Sequence, residues 1–195
     1  MTTTAIDNDA HGIVLESGAM QFTRLLPGPI ERVWSYLVEP EKRKLWLAAG
    51  PMDLRVGGRV VLEFHNGALA PQGERVPEQF QKYTGQLSHG GRITELDPPR
   101  RLAMTWGEKL EGADATCNAD AVTHSEVVFE LLPQGRDVLL VLTHRKLSGP
   151  AEKLSISGGW HVHLAHLVAA MKGEPKPPFW AALERLRAEY ERRFA

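Results

Sequence analysis

The change of hydrophobic period near Leu147 constrains the fold of this chain more than any other feature. Before that point, apolar and polar residues alternate over short segments, which is typical of β-strands. After it, apolar residues recur every three or four positions, which is typical of a helix with one buried face. A run of strands followed by a long helix predicts an α+β domain, with the helix lying against one face of an antiparallel sheet.

Short turns separate the predicted strands. Gly57-Gly58, Asp97-Pro98-Pro99 and residues 133–136 are each rich in turn-forming residues, and they join neighbouring strands into an antiparallel meander. The predicted strands are residues 20–26, 53–56, 59–65, 85–96, 101–106, 122–132 and 138–144.

The helices are predicted from apolar spacing and from their boundary residues. Pro29 suits the start of a helix over 30–37, and a second short helix follows over 39–47. A long helix is expected to begin near Ser157 and to end before Gly173. A last helix, over 178–194, has an apolar stripe that either packs back on the domain or forms a homodimer interface.

Composition indicates one ordinary soluble domain. The chain has 195 residues, 43% of them hydrophobic and 24% charged, and a net charge of −1, so we expect no nucleic-acid partner. We predict a flexible leader over 1–12, a main domain over 13–175 and a helical extension over 176–195. With no apolar signal or membrane-spanning segment expected, and with Cys117 as its one cysteine, the cytoplasm is the predicted location.

Five segments together resemble the SRPBCC, or START-like, superfamily. The subgroup is the one related to the C-terminal domain of the heat-shock-protein-90 ATPase activator. The similarity covers about residues 20–172, and a further helix resembles an extension seen in some bacterial members. The matching segments are residues 25–34, residues 53–59, residues 96–102 with Trp106, residues 142–144, and Gly158-Gly159-Trp160.

This resemblance implies a helix-grip fold, in which a curved antiparallel sheet wraps around a long C-terminal helix with a cavity between them. Members include lipid carriers, hormone receptors, aromatase/cyclases and co-chaperone domains, so the fold does not name a reaction. We predict binding of a small apolar or amphipathic molecule in the cavity. The alternatives are a chaperone-linked interaction domain, with a role in the stress response, and a cyclase- or hydrolase-type enzyme.

Strand parity predicts which side chains face the cavity. His144 ends an otherwise apolar inward face, so it is the polar residue that could bond a ligand carbonyl or hydroxyl; the alternative is a core histidine satisfied by a backbone carbonyl or by the Trp160 indole. His163 is expected at the edge of the helix face that covers the cavity. The predicted ligand-binding residues are Met104, Trp106, Phe129, Leu140, Leu142, His144, His163 and Leu164.

Other candidate chemistry is weaker. His163 and His166 have helical i, i+3 spacing but no matching carboxylate, so we predict no metal site. We also predict no cofactor and assign no catalytic residue. On strand 59–65 the orientation of Glu63 and His65 stays open, because an error of one residue exchanges the two faces. The long segments 66–82 and 107–121 are either gates of the pocket or plain surface loops.

Overall fold

A seven-stranded antiparallel sheet forms the body of the protein. The computed structural model describes residues 6–108, 110 and 125–195. The strands follow the order β1-β2-β7-β6-β5-β4-β3. They are β1 (Ile13–Val14), β2 (Met20–Pro27), β3 (Arg59–Phe64), β4 (Leu87–Asp97), β5 (Arg101–Trp106), β6 (Ser125–Gln134) and β7 (Asp137–Arg145).

The sheet is sequential from β3 to β7, and β2 then pairs with β7. This confirms the predicted meander and the α+β helix-grip class. On β3, Val60, Leu62 and Phe64 are buried, whereas His65, just beyond the strand, is exposed. Burial of these branched and aromatic side chains therefore decides which face of β3 points inward, the question that the sequence left open.

The long helix α4 (Pro150–Lys172) covers the inner face of the sheet. Its predicted start near Ser157 was wrong, because Pro150 occupies the first helical turn, where its missing N–H costs nothing. Gly158 and Gly159 consequently lie inside the helix. Gly173, in the left-handed conformation, ends α4 as predicted.

Within the described residues there are four further α-helices. They are α1 (Ile30–Val38), α2 (Pro40–Arg43), α3 (Asn66–Leu69) and α5 (Trp180–Phe194). Trp180, Leu186 and Tyr190 of α5 are buried against the same chain. Of the helices in the described part of the chain, none has the length and apolar character needed to cross a membrane.

Two other local predictions were wrong. Residues 53–56 form a turn instead of a strand: the Arg55 N–H donates to the Asp53 carbonyl, and Gly57 has a φ of 79°. The helix predicted over 39–47 is shorter: α2 ends at Arg43, and turn hydrogen bonds, such as that from the Leu47 N–H to the Arg43 carbonyl, continue the chain.

Segment 66–82 contains local structure that sequence patterns did not indicate. It holds α3 and most of a 3-10 helix, Glu78–Tyr83. Phe80 is buried and its ring lies 6.3 Å from that of Trp180, so the segment is packed against α5. The second long segment, 107–121, lies mostly outside the described residues, as does Cys117.

Candidate functional site

Two of the predicted pocket residues, Trp106 and His144, contact each other near one end of the sheet. β3 and β5 end at Phe64 and Trp106, and β7 carries His144 one residue before its end. Both long connections, after Phe64 and after Trp106, leave the sheet at this end. The connection after Phe64, which holds α3 and the 3-10 helix, therefore begins next to the site.

A cluster of rings fills the space between the sheet and α4 at this end. Its members are Phe64, Trp106, Phe129, His144 and Trp160. The Trp106 ring centroid lies 4.9 Å from Trp160, 5.7 Å from His144 and 6.1 Å from Phe64. Phe129 contacts Trp160 edge-on at 5.9 Å. Trp160, on α4, is 3% exposed and packs against the sheet. The interior here is close-packed, and Trp106, half-buried, is at its centre.

Trp160 fixes the protonation of His144. The indole Nε1 donates a hydrogen bond to His144 Nδ1 over 2.9 Å. An indole N–H can only donate, so His144 Nδ1 must be the acceptor and the neutral ring carries its hydrogen on Nε2. The predicted pairing with the Trp160 indole is thus present. It satisfies only one of the two ring nitrogens, because Nε2 is buried and has no partner among the described residues.

His89 is a member of this site that the sequence analysis missed. It lies on β4 opposite Leu62, so it faces inward, and its ring stacks on Phe64 at 4.8 Å and meets Trp106 at 4.9 Å. Its Nδ1 is also buried and unpartnered within the described chain. Counting alternate residues back from Ile93 would have indicated this orientation. A shift of register between Ile93 and Glu95 hides the pattern on the rest of the strand.

Burial keeps the histidines of the site uncharged at neutral pH. It lowers the pKa of His144 to about 3, with a further decrease caused by the nearby His89 ring. It also lowers the pKa of His89 to about 4. A base with so low a pKa abstracts protons poorly near pH 7, so the pair is better suited to hydrogen bonding than to acid–base catalysis.

The other predicted residues occupy separate parts of the same interior. His163 lies across Phe64 from the cluster, with 6.1 Å between ring centroids, and its Nδ1 bonds the Trp46 carbonyl over 2.7 Å. It is therefore held by protein atoms instead of standing beside His144. Buried side chains at the remaining predicted positions line the core: Met104, Leu140, Leu142 and Leu164.

Metal binding and surface clefts do not add to this site. No group of three or more potential metal-binding side chains occurs in residues 6–108, 110 and 125–195. Two shallow clefts have volumes of about 190 Å³ and about 250 Å³. Neither of these two clefts opens onto Trp106 or His144.

The fold and the buried cluster define a helix-grip domain of a general ligand-binding type, with aromatic and histidine side chains between sheet and helix. Residues 27–172 match the model of a family described as activator of Hsp90 ATPase homolog 1-like protein. The chain belongs to this family.

Solved structures share this fold. A protein encoded by gene BPP1335 of Bordetella parapertussis is 38% identical, with a TM-score of 0.75 over 99% of this chain and 95% of that one. CalU16 from Micromonospora echinospora is 22% identical, with a TM-score of 0.61 over 93% and 92%. Ms6760 from Mycobacterium smegmatis is 17% identical, with a TM-score of 0.60 over 84% and 94%, and these last two show the fold alone. A comparison with curated proteins found no match.

Proposed function

We propose that this protein binds a small, mostly apolar molecule between the sheet and α4, with one oxygen atom of the molecule accepting a hydrogen bond from His144 Nε2. The observation that carries the proposal is the buried, unpartnered Nε2–H among aromatic rings. A buried donor without an acceptor is costly, and a ligand carbonyl or hydroxyl would remove that cost.

Trp106 is the side chain whose movement would admit the ligand. It contacts most members of the cluster, yet it is only half-buried and is the last residue of β5. Rotamer changes of this kind are common when a protein binds a partner. The rings of Phe64, Phe129 and Trp160 would then supply an apolar surface, and His144 would orient the polar group.

A pair of probes that differ by one oxygen atom tests the proposal. Fluorenone and fluorene have the same tricyclic shape, but only fluorenone carries a carbonyl. We expect wild-type protein to bind fluorenone about tenfold more tightly, which corresponds to a net hydrogen bond of about 1.4 kcal/mol. His144→Phe should bind both probes with similar affinity, as measured by isothermal titration calorimetry.

His65→Phe is the matched control, because His65 is exposed beyond the end of β3. It should leave the preference for fluorenone unchanged. Nitrogen NMR of His144 provides a readout that does not depend on a variant, since the Nε2–H signal should shift when fluorenone binds. Equal affinity of the wild-type protein for the two probes, or an unchanged His144 signal, would exclude the proposed hydrogen bond.

A chaperone-linked role is a second proposal, supported by the family description and by an exposed apolar pair. Leu54 and Val56 are 46% and 63% exposed in the turn before β3. If this turn binds heat-shock protein 90, the chain should stimulate its ATPase activity. Replacing both residues by serine should then abolish the stimulation while leaving the fluorenone preference intact.

A further inference from the structure

Two fully buried arginines of this chain are satisfied in different ways. Arg24 on β2 and Arg43 on α2 are each 1% exposed. The Arg43 guanidinium donates from all three nitrogens to backbone carbonyls, those of Leu37, Val38, Ala48, Ala49 and Gly50. Arg43 shows that this protein can hold a structural guanidinium with every nitrogen bonded.

Arg24 has one edge without a partner. Its Nη1 donates to the carbonyls of Ala10 and Thr23 over 3.1 Å and 2.8 Å. Its Nε and Nη2 are buried and make no hydrogen bond to any described residue. These two N–H groups point in parallel from the same side of the planar guanidinium, which is the fork that matches the two oxygens of a carboxylate.

The surroundings of Arg24 favour a negative group. Burial lowers the pKa of the guanidinium, so leaving the cation uncompensated is unfavourable. Tyr190, Asp9 and Asp7 partly oppose this decrease by raising the pKa of Arg24, and both aspartates are exposed. Arg24 lies opposite Leu140 on β7, whereas Met20 lies opposite His144, so the site is separate from the proposed ligand cluster.

A short segment of chain covers Arg24. The Asn8 side-chain amide bonds both the N–H and the carbonyl of Leu25, and the Gly12 N–H donates to the Tyr190 hydroxyl over 2.8 Å. These contacts, together with the 2.8 Å contact between His11 Nε2 and the Glu189 carboxylate, hold residues 8–12 between β2 and α5. Local opening of this segment would expose the free edge of Arg24.

We propose that the Nε–Nη2 edge of Arg24 binds the carboxylate of a small anion that enters beneath residues 8–12. The carboxylate oxygens accept the two parallel hydrogen bonds and neutralise the buried charge. The other source of such oxygens is the chain itself, through Asp9, and the experiment separates the two.

NMR of the arginine Nε–H groups in wild-type protein tests the site directly. The probe is sodium formate, the smallest carboxylate, titrated against sodium chloride at equal ionic strength. The Arg24 Nε–H signal should move downfield and saturate with formate, whereas chloride should leave it in place. The Arg43 Nε–H signal is the internal control and should not move, because the Ala48 carbonyl already accepts its hydrogen bond.

Thermal unfolding gives a second measurement. Formate should raise the melting temperature of wild-type protein above that in chloride, and Arg24→Lys should lose the difference, because lysine keeps the charge but lacks the fork. An Arg24 signal that ignores formate, or moves equally with chloride, would overturn the proposal. So would a signal that is already downfield without added anion and moves upfield in Asp9→Asn, which would show an internal ion pair.

Discussion

At the scale of single residues, Trp160 links the sheet to α4 through both packing and polarity. Its indole contacts Trp106 and Phe129, and its N–H sets the tautomer of His144. One side chain thus provides apolar burial and determines which nitrogen of the neighbouring ring is a donor. The Trp160 indole therefore decides that Nε2, and not Nδ1, is the hydrogen-bond donor of His144.

Trp160→Ala should lower the free energy of unfolding by about 3–5 kcal/mol, because it removes a large buried side chain and leaves a cavity. Urea denaturation followed by circular dichroism measures the loss. Leu132→Ala is the control: Leu132 is 47% exposed, so the change should be within about 0.5 kcal/mol. Equal stability of Trp160→Ala and wild type would show that the ring contributes little to the core.

At the scale of elements, Gly159 lowers the stability of α4, and no close contact of the helix requires a glycine there. A Cβ at Gly159 would meet no atom within 4 Å, in contrast to Gly158, where it would lie 3.4 Å from Leu183. Gly159→Ala should therefore raise the free energy of unfolding by about 0.5–1 kcal/mol through helix propensity alone. A lower midpoint of urea denaturation would show that the helix surface at this position is occupied.

On β4, by contrast, a glycine is required by the approach of the next strand. A Cβ at Gly91 would lie 2.3 Å from the Thr105 carbonyl oxygen, which belongs to the backbone and cannot move aside freely. Gly91→Ala should lower the free energy of unfolding by about 1–3 kcal/mol, the usual range for overpacking. Gly85→Ala, just before β4, meets no neighbouring atom and is the control; the same loss in both variants would contradict the steric explanation.

At the scale of the whole molecule, buried histidines make the stability depend on pH. Burial lowers the pKa of His144 and His161 to about 3, and that of His163 and His166 to about 4. An unfolded histidine has a pKa of about 6.5, so between that pH and the folded pKa the unfolded chain binds more protons. The folded state is then destabilised as pH falls.

The melting temperature should accordingly be nearly constant above pH 7 and decrease steadily below pH 6.5. Each of these histidines contributes up to about 1.4 kcal/mol per pH unit in that range. Differential scanning calorimetry between pH 8 and pH 4.5 measures the slope, and His166→Phe should make it shallower. A melting temperature that stays constant down to pH 5 would mean that the histidines are protonated in the folded protein.

The sequence by itself determined the fold class and most of the inward-facing residues. Alternation on β5, β6 and β7 correctly predicted that Met104, Phe129 and His144 are buried, because parity is a local property of a strand. The change to helical periodicity likewise predicted α4, and the Pro and Gly residues at its ends are local signals. These features need no knowledge of distant parts of the chain.

Tertiary structure alone decided how the polar atoms of the site are paired. The approach of Trp160 makes His144 Nε2 the free donor, and the pairing of β4 with β3 sets His89 opposite Leu62. The same holds for Arg24, whose free edge depends on which carbonyls of residues 8–12 reach it. A hydrogen bond between segments far apart in sequence forms only when the donor–acceptor distance is right to within a few tenths of an ångström. The periodicity of a sequence carries no information about such distances.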